Sequence, residues 1–177
     1  MEAFRTEVPT GSFPFHINHG ANVVMLGSCF AENMGQKLNE SKIPTTLNPF
    51  GILFNPFSVM NALERMLNNR PYVASELVQT GDYFASLDHH GRFNEDTIEV
   101  TLAGINGELT KGREALFSAD YLFITLGSAW VYEHIERNHT VANCHKIPNK
   151  EFKKRLLSFQ DVHLILRHIP QFLAAKK

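Results

Sequence analysis

One joint constrains this chain more than any other. Residues 23–35 read VVMLGSCFAENMG. An apolar run meets Gly27, and helical spacing begins two residues later, with Phe30, Met34 and Leu38 four apart. A short β-branched run bounded by glycine predicts a buried parallel strand over 22–26, and the four-residue spacing predicts a helix over 29–38. A second strand is expected over 43–47. Strand, helix, strand is the unit that builds parallel sheets, because parallel neighbours need a crossover. The expected class is therefore α/β, as one domain over 1–177.

Two Asn-Pro pairs, Asn48-Pro49 and Asn55-Pro56, flank Gly51 and predict a bent loop, since the residue before proline avoids helix. A helix is expected over 58–67. Residues 82–87 and 92–93 are expected to pair as a hairpin across His89-His90-Gly91, and 95–116 to be helical despite Gly104 and Gly107. DYLFITL, residues 120–126, is the clearest strand, and 130–135 reads as extended. Over 149–169, Phe152, Leu156, Phe159, Val162, Leu166 and Ile169 recur every three or four residues, which predicts a helix covering the sheet and kinked or ended by Pro170. Residues 1–21 read as an extended stretch.

Composition narrows the partners. Among 177 residues there are 17 basic and 18 acidic side chains, a net charge of -1. That balance supplies no field for nucleic acid or an anionic surface, and no nucleic-acid partner is expected. Cys29 and Cys144 form neither a disulfide framework nor a zinc spacing. No apolar run is long enough to span a bilayer, and the N-terminus has no secretory pattern, so a cytoplasmic location is expected. No cofactor motif and no metal-ligand pattern is present. His89-His90 beside Asp88 reads as a polar turn.

Open α/β sheets hold ligands beyond the carboxyl ends of their strands. Ser28 stands there, at a helix start whose free amides stabilise an anion. A hydroxyl so placed suits a nucleophile, and serine there equally suits a helix N-cap. Gly51, between its two bends, is placed to offer a backbone N–H to an oxyanion or to be a plain turn. Gly127-Ser128 follows the 120–126 strand and shares the same rim. Asn143-Cys144-His145 adds an amide and an imidazole of suitable basicity, or ordinary polar surface.

GSCFA at 27–31 resembles the signature of the bacterial GSCFA family. NPFGILFNP (48–56), ITLGSAWVYE (124–133) and VANCHKIP (141–148) resemble its further blocks in the same order. GSCFA proteins resemble SGNH hydrolases, which implies a flavodoxin-like three-layer α/β/α fold with a mostly parallel sheet. The resemblance gives Ser28 the nucleophile's position and Gly51 that of an oxyanion donor. The third SGNH block, Gly-x-Asn-Asp, is matched by Gly127-Ser128-Ala129-Trp130, so Asn143 is the candidate to replace its asparagine. The family's C-terminal Asp-x-x-His has no counterpart in 1–177, and His145 is the substitute base within the chain. The implied activity is an esterase or acyltransferase acting on a small acyl ester or an acylated carbohydrate. It is expected to be weak here, the chain reading as the N-terminal, truncated portion of such a domain, with an exposed sheet edge that favours homo-oligomers. The competing expectations are thiol chemistry by Cys29 with His145, and a non-catalytic carbohydrate- or protein-binding module.

Overall fold

A computed structural model describes residues 8–9 and 11–176. Of the extended stretch expected at 1–21, residues 1–7 and 10 lie outside this range, and 11–17 form no regular element. Among the described residues the architecture is mixed α/β with four α-helices. β1 (Val23–Gly27) lies between β2 (Thr45–Leu47) and β5 (Tyr121–Thr125), parallel to both, giving the order β2-β1-β5.

Alternation along β1 splits the core. Val23 and Met25 pack with Ala31, Leu38 and Leu47 on the side of α1 (Cys29–Glu40). Val24 and Leu26 face the larger cluster, built with α2 (Pro56–Leu67), α3 (Ile98–Ser118) and α4 (Phe159–Lys176). Helices thus cover both faces of the sheet, as a strand buried on both sides requires. Sequence supplies the helix starts. Asn55 accepts from the Ser58 N–H with Pro56 in the first turn, and Thr97 accepts from the Val100 N–H.

Two expectations are corrected. The hairpin is β3 (Leu77–Thr80) against β4 (Tyr83–Ser86), not strands flanking His89-His90-Gly91. Its turn is Gly81-Asp82, where Gly81 takes φ 60°, as a tight hairpin demands. Residues 91–93 form a 3₁₀ turn, and only a single Phe84–Glu95 bridge links the returning chain to β4. The helix expected over 149–169 is two elements. Phe152–Leu156 is strand β8, which with β7 (His139–Val141) flanks β6 (Trp130–His134) in an antiparallel sheet. The break is local: Ser158 and Asp161 exchange hydrogen bonds, Asp161 Oδ2 accepting from the Ser158 N–H and Ser158 Oγ accepting from the Asp161 N–H, each near 3 Å. That reciprocal box starts α4 at Phe159. α4 continues through Pro170 and packs on α2, leaving Phe159 and Leu166 exposed.

The three glycines of α3 separate packing from propensity. A Cβ on Gly112 would lie 2.5 Å from Met66 Sδ and 2.7 Å from Cγ of the rigid Pro49 ring, whereas Gly104 and Gly107 face open space. Gly112→Ala should cost about 1–3 kcal/mol through overpacking. Gly104→Ala and Gly107→Ala should each gain about 0.5–1 kcal/mol. Urea denaturation of the three variants checks the opposite signs.

Candidate functional site at the carboxyl end of the central strand

β1 ends in a knot of hydrogen bonds. Gly27 takes φ 132°, and a Cβ there would collide with the Thr125 carbonyl of β5. Its N–H donates to Asn48 Oδ1 at 2.8 Å, and its carbonyl accepts from Leu53 N at 2.8 Å. The 48–54 bend is therefore stitched to the strand tip. On the other side, the Gly127 and Ser128 amides donate to the Phe54 carbonyl at 2.8 and 2.9 Å. The three segments singled out by sequence do share one rim.

Ser28 sits at its centre as the N-cap of α1. Its Oγ accepts from the Phe30 N–H at 3.3 Å and lies 3.0 Å from Thr125 Oγ1. The residue is 7% exposed, so the hydroxyl sits at the floor of the rim rather than on it. Phe30, Phe54 and Leu126 are exposed around it, and Phe54 lies against Gly127.

The remaining expected residues stand elsewhere. Gly51 has φ 77° and packs on the His90 Cβ, and its N–H donates to the Asn48 carbonyl at 2.7 Å within its own turn. Asn143 Oδ1 caps the His145 N–H at 3.0 Å. His145 Nε2 donates to the Ser86 carbonyl at 2.8 Å and Nδ1 accepts from Asn94 Nδ2 at 3.2 Å, so both ring nitrogens are occupied. Burial pushes the imidazole below its ordinary pKa. Neither Asn143 nor His145 is hydrogen-bonded to Ser28. Cys29 is exposed, and burial raises the Cys144 thiol.

Sequence reasoning missed the groups that hold the rim. Asn48, buried and at φ 40°, donates through Nδ2 to Glu32 Oε2 at 2.7 Å, and Arg92 donates to the Asn48 carbonyl at 2.7 Å. The signal available was the Asn of the first Asn-Pro pair, read only as a bend. The His89-His90 turn is more than the polar turn its sequence suggests. His89 is fully buried, stacked on Phe50 at 4.4 Å and edge-on to Tyr72 and Phe93. Beside it, Asp88 accepts from the Tyr72 hydroxyl at 2.9 Å and from His139 Nε2 at 2.6 Å. Burial opposes ionisation of Asp88, yet His139 and Tyr72 hold its carboxyl below the usual range, while that bond raises His139. Among the described residues no cluster of His, Cys, Asp and Glu is arranged to hold a metal, and no helix is long and apolar enough to cross a membrane.

A Gly-Ser joint at the crest of a parallel strand, knotted to an Asn-Pro-Phe-Gly bend, marks a GSCFA-type α/β domain. Residues 22–177 match the GSCFA family, and the chain belongs to it. No curated protein and no solved structure matches the chain.

Burial depresses the His89 pKa to about 3. A group whose folded pKa lies below its unfolded value stabilises above the unfolded value and loses that contribution as pH falls. Stability should therefore drop between about pH 6.5 and 4 with a His89 contribution of up to about 1.4 kcal/mol per pH unit. Asp88 adds to the loss at the acid end, in the same direction. His89→Gln should flatten the slope in denaturation midpoints measured across that window. An unchanged slope would mean His89 takes no part.

Proposed function

We propose that the rim is an SGNH-hydrolase-like site on a flavodoxin-like three-layer scaffold, in which Ser28 attacks the carbonyl of a small acyl ester, including one on a carbohydrate. The single observation that carries this reading is the position of Ser28: a hydroxyl at the carboxyl end of the central parallel strand, at the N-terminus of α1, between the 48–54 bend and Gly127. First-turn amides of a helix lack intrahelical acceptors and favour developing negative charge, the requirement of an oxyanion. The exposed Phe30, Phe54 and Leu126 offer apolar contact for the acyl group.

The geometry also limits the rate. Gly51 points its N–H into its own turn and His145 has both nitrogens engaged, so neither serves Ser28 in this arrangement. The side chain within hydrogen-bond reach of Ser28 Oγ is Thr125, which is no base near neutral pH. A serine without its imidazole loses about three to six orders of magnitude in rate. Weak acyl transfer to Ser28 is the expected behaviour of this chain.

A second reading has its own support. Ser28 caps α1 and is largely buried, which suits a binding module whose serine is structural. A fluorophosphonate probe separates the two. Slow, stoichiometric labelling mapped by mass spectrometry to Ser28, and lost in Ser28→Ala, supports the nucleophile. Labelling that persists in Ser28→Ala, or that maps elsewhere, removes it. In either case Ser28→Ala should cost about 1 kcal/mol of stability as a lost cap.

A further inference from the structure

Away from the rim, a cleft of about 320 Å³ opens between the end of α2, the end of β4 and the β6–β7 hairpin. Its volume is about ten times the share of one liquid water, room for more than a bare inorganic ion. Three arginines line it, and they are held differently. Arg65 is buried, donates to both Glu76 carboxylate oxygens at 2.7–2.8 Å, and keeps an Nε with no protein acceptor. Arg137 is oriented by main-chain carbonyls alone, donating to Ser75, Glu76 and Leu77 at 3.1–3.4 Å. Arg70, just past the end of α2, has no carboxylate within ion-pair distance among the described residues.

Asp88 and His139 complete the wall. Asp88 takes the Nε2 side of the imidazole at 2.6 Å and orients the ring, leaving Nδ1 without a hydrogen-bond partner among the described residues on a side chain that is 39% exposed. Three guanidinium groups face two carboxylates, Glu76 and Asp88, an excess of one positive charge before the imidazole is counted, and the Asp88 bond favours the charged form of that imidazole. Planar guanidinium forks match the oxygens of phosphate, and a phosphate monoester carries close to two negative charges near neutral pH.

We propose that this cleft binds a small phosphate monoester, its phosphoryl group held by Arg70, Arg137 and His139. The site is separate from Ser28 and does not depend on the reading of the rim as a hydrolase.

The test is titration of the full chain with phenyl phosphate, followed by ¹H–¹⁵N correlation spectra, with benzoate and sulfate as comparison anions. Saturable shifts centred on Asp88, Arg137 and His139 are expected, with phenyl phosphate tighter than either comparison anion. Arg70→Gln should weaken it about tenfold, the loss of one charge-assisted contact, and Arg70→Lys should recover part of that. Arg70 is exposed, so both variants should fold; the dispersion of their spectra checks this. Ser28→Ala should bind phenyl phosphate as the parent does. Unsaturable shifts, equal binding of sulfate, unchanged affinity in Arg70→Gln, or loss of binding in Ser28→Ala would each overturn the assignment.

Discussion

Everything at the crest of the sheet depends on the backbone of Gly27. Its φ of 132° and its close approach to the Thr125 carbonyl admit no side chain. With both of its main-chain polar groups committed to the 48–54 bend, the strand tip, the bend and the start of α1 become one rigid unit. Ser28 inherits its position from that unit. Its own amide donates to the Thr125 carbonyl at 3.2 Å, so the hydroxyl is registered to β5 as well as to β1.

The same economy has a chemical consequence. Buried main-chain donors and acceptors are costly to leave unpaired, so a rim this well satisfied holds few free donors. Gly51, the natural oxyanion donor by sequence, spends its N–H on the Asn48 carbonyl. Asn48 spends its side chain on Gly27 and Glu32. What stays open is the first turn of α1, where no preceding turn exists to accept. Rigidity and reactivity are thus set against each other at one place, and any chemistry at Ser28 draws on the helix start more than on the bend.

The β1–α1–β2 unit, the 48–56 loop and β5 were legible because each rests on local signals: an apolar run ending in glycine, helical spacing, paired Asn-Pro bends. The spacing gave the existence of α1 but not its buried face, which is Ala31 and Gly35 while Phe30 and Met34 are exposed. Residues 149–169 were not. Their three-and-four spacing fits a helix as well as it fits a strand followed by a helix, and the Ser158–Asp161 box that divides them is four residues long. The 77–86 hairpin was displaced for a similar reason: His89-His90-Gly91 resembles a turn, while Gly81-Asp82 holds the backbone that makes one. At the site, residue types pointed to Ser28 and the loops around it. They did not reveal that the hydrogen bonds of His145 are satisfied away from Ser28, because its partners, Ser86 and Asn94, are 59 and 51 residues away in sequence. Non-local pairing also hid Asp88–His139, separated by 51 positions.

One buried layer connects the rim to the cleft. Phe50 belongs to the bend stitched to Gly27, and its ring lies flat on His89. His89 meets Tyr72 edge-on, and the Tyr72 hydroxyl binds Asp88, which orients His139. Within that layer His89 Nδ1 lies 2.8 Å from Ser86 Oγ, while Nε2 has no partner. A charged imidazole there would have no counter-ion in direct contact and three aromatic rings, Phe50, Tyr72 and Phe93, against it, so the ring stays neutral and acts as a polarised aromatic plate. Because packed interiors transmit displacement, a substitution that shifts this plate moves the 48–51 turn on one side and the Tyr72–Asp88–His139 chain on the other. The structural cost of His89 is therefore shared between two surfaces that sequence alone would treat as unrelated.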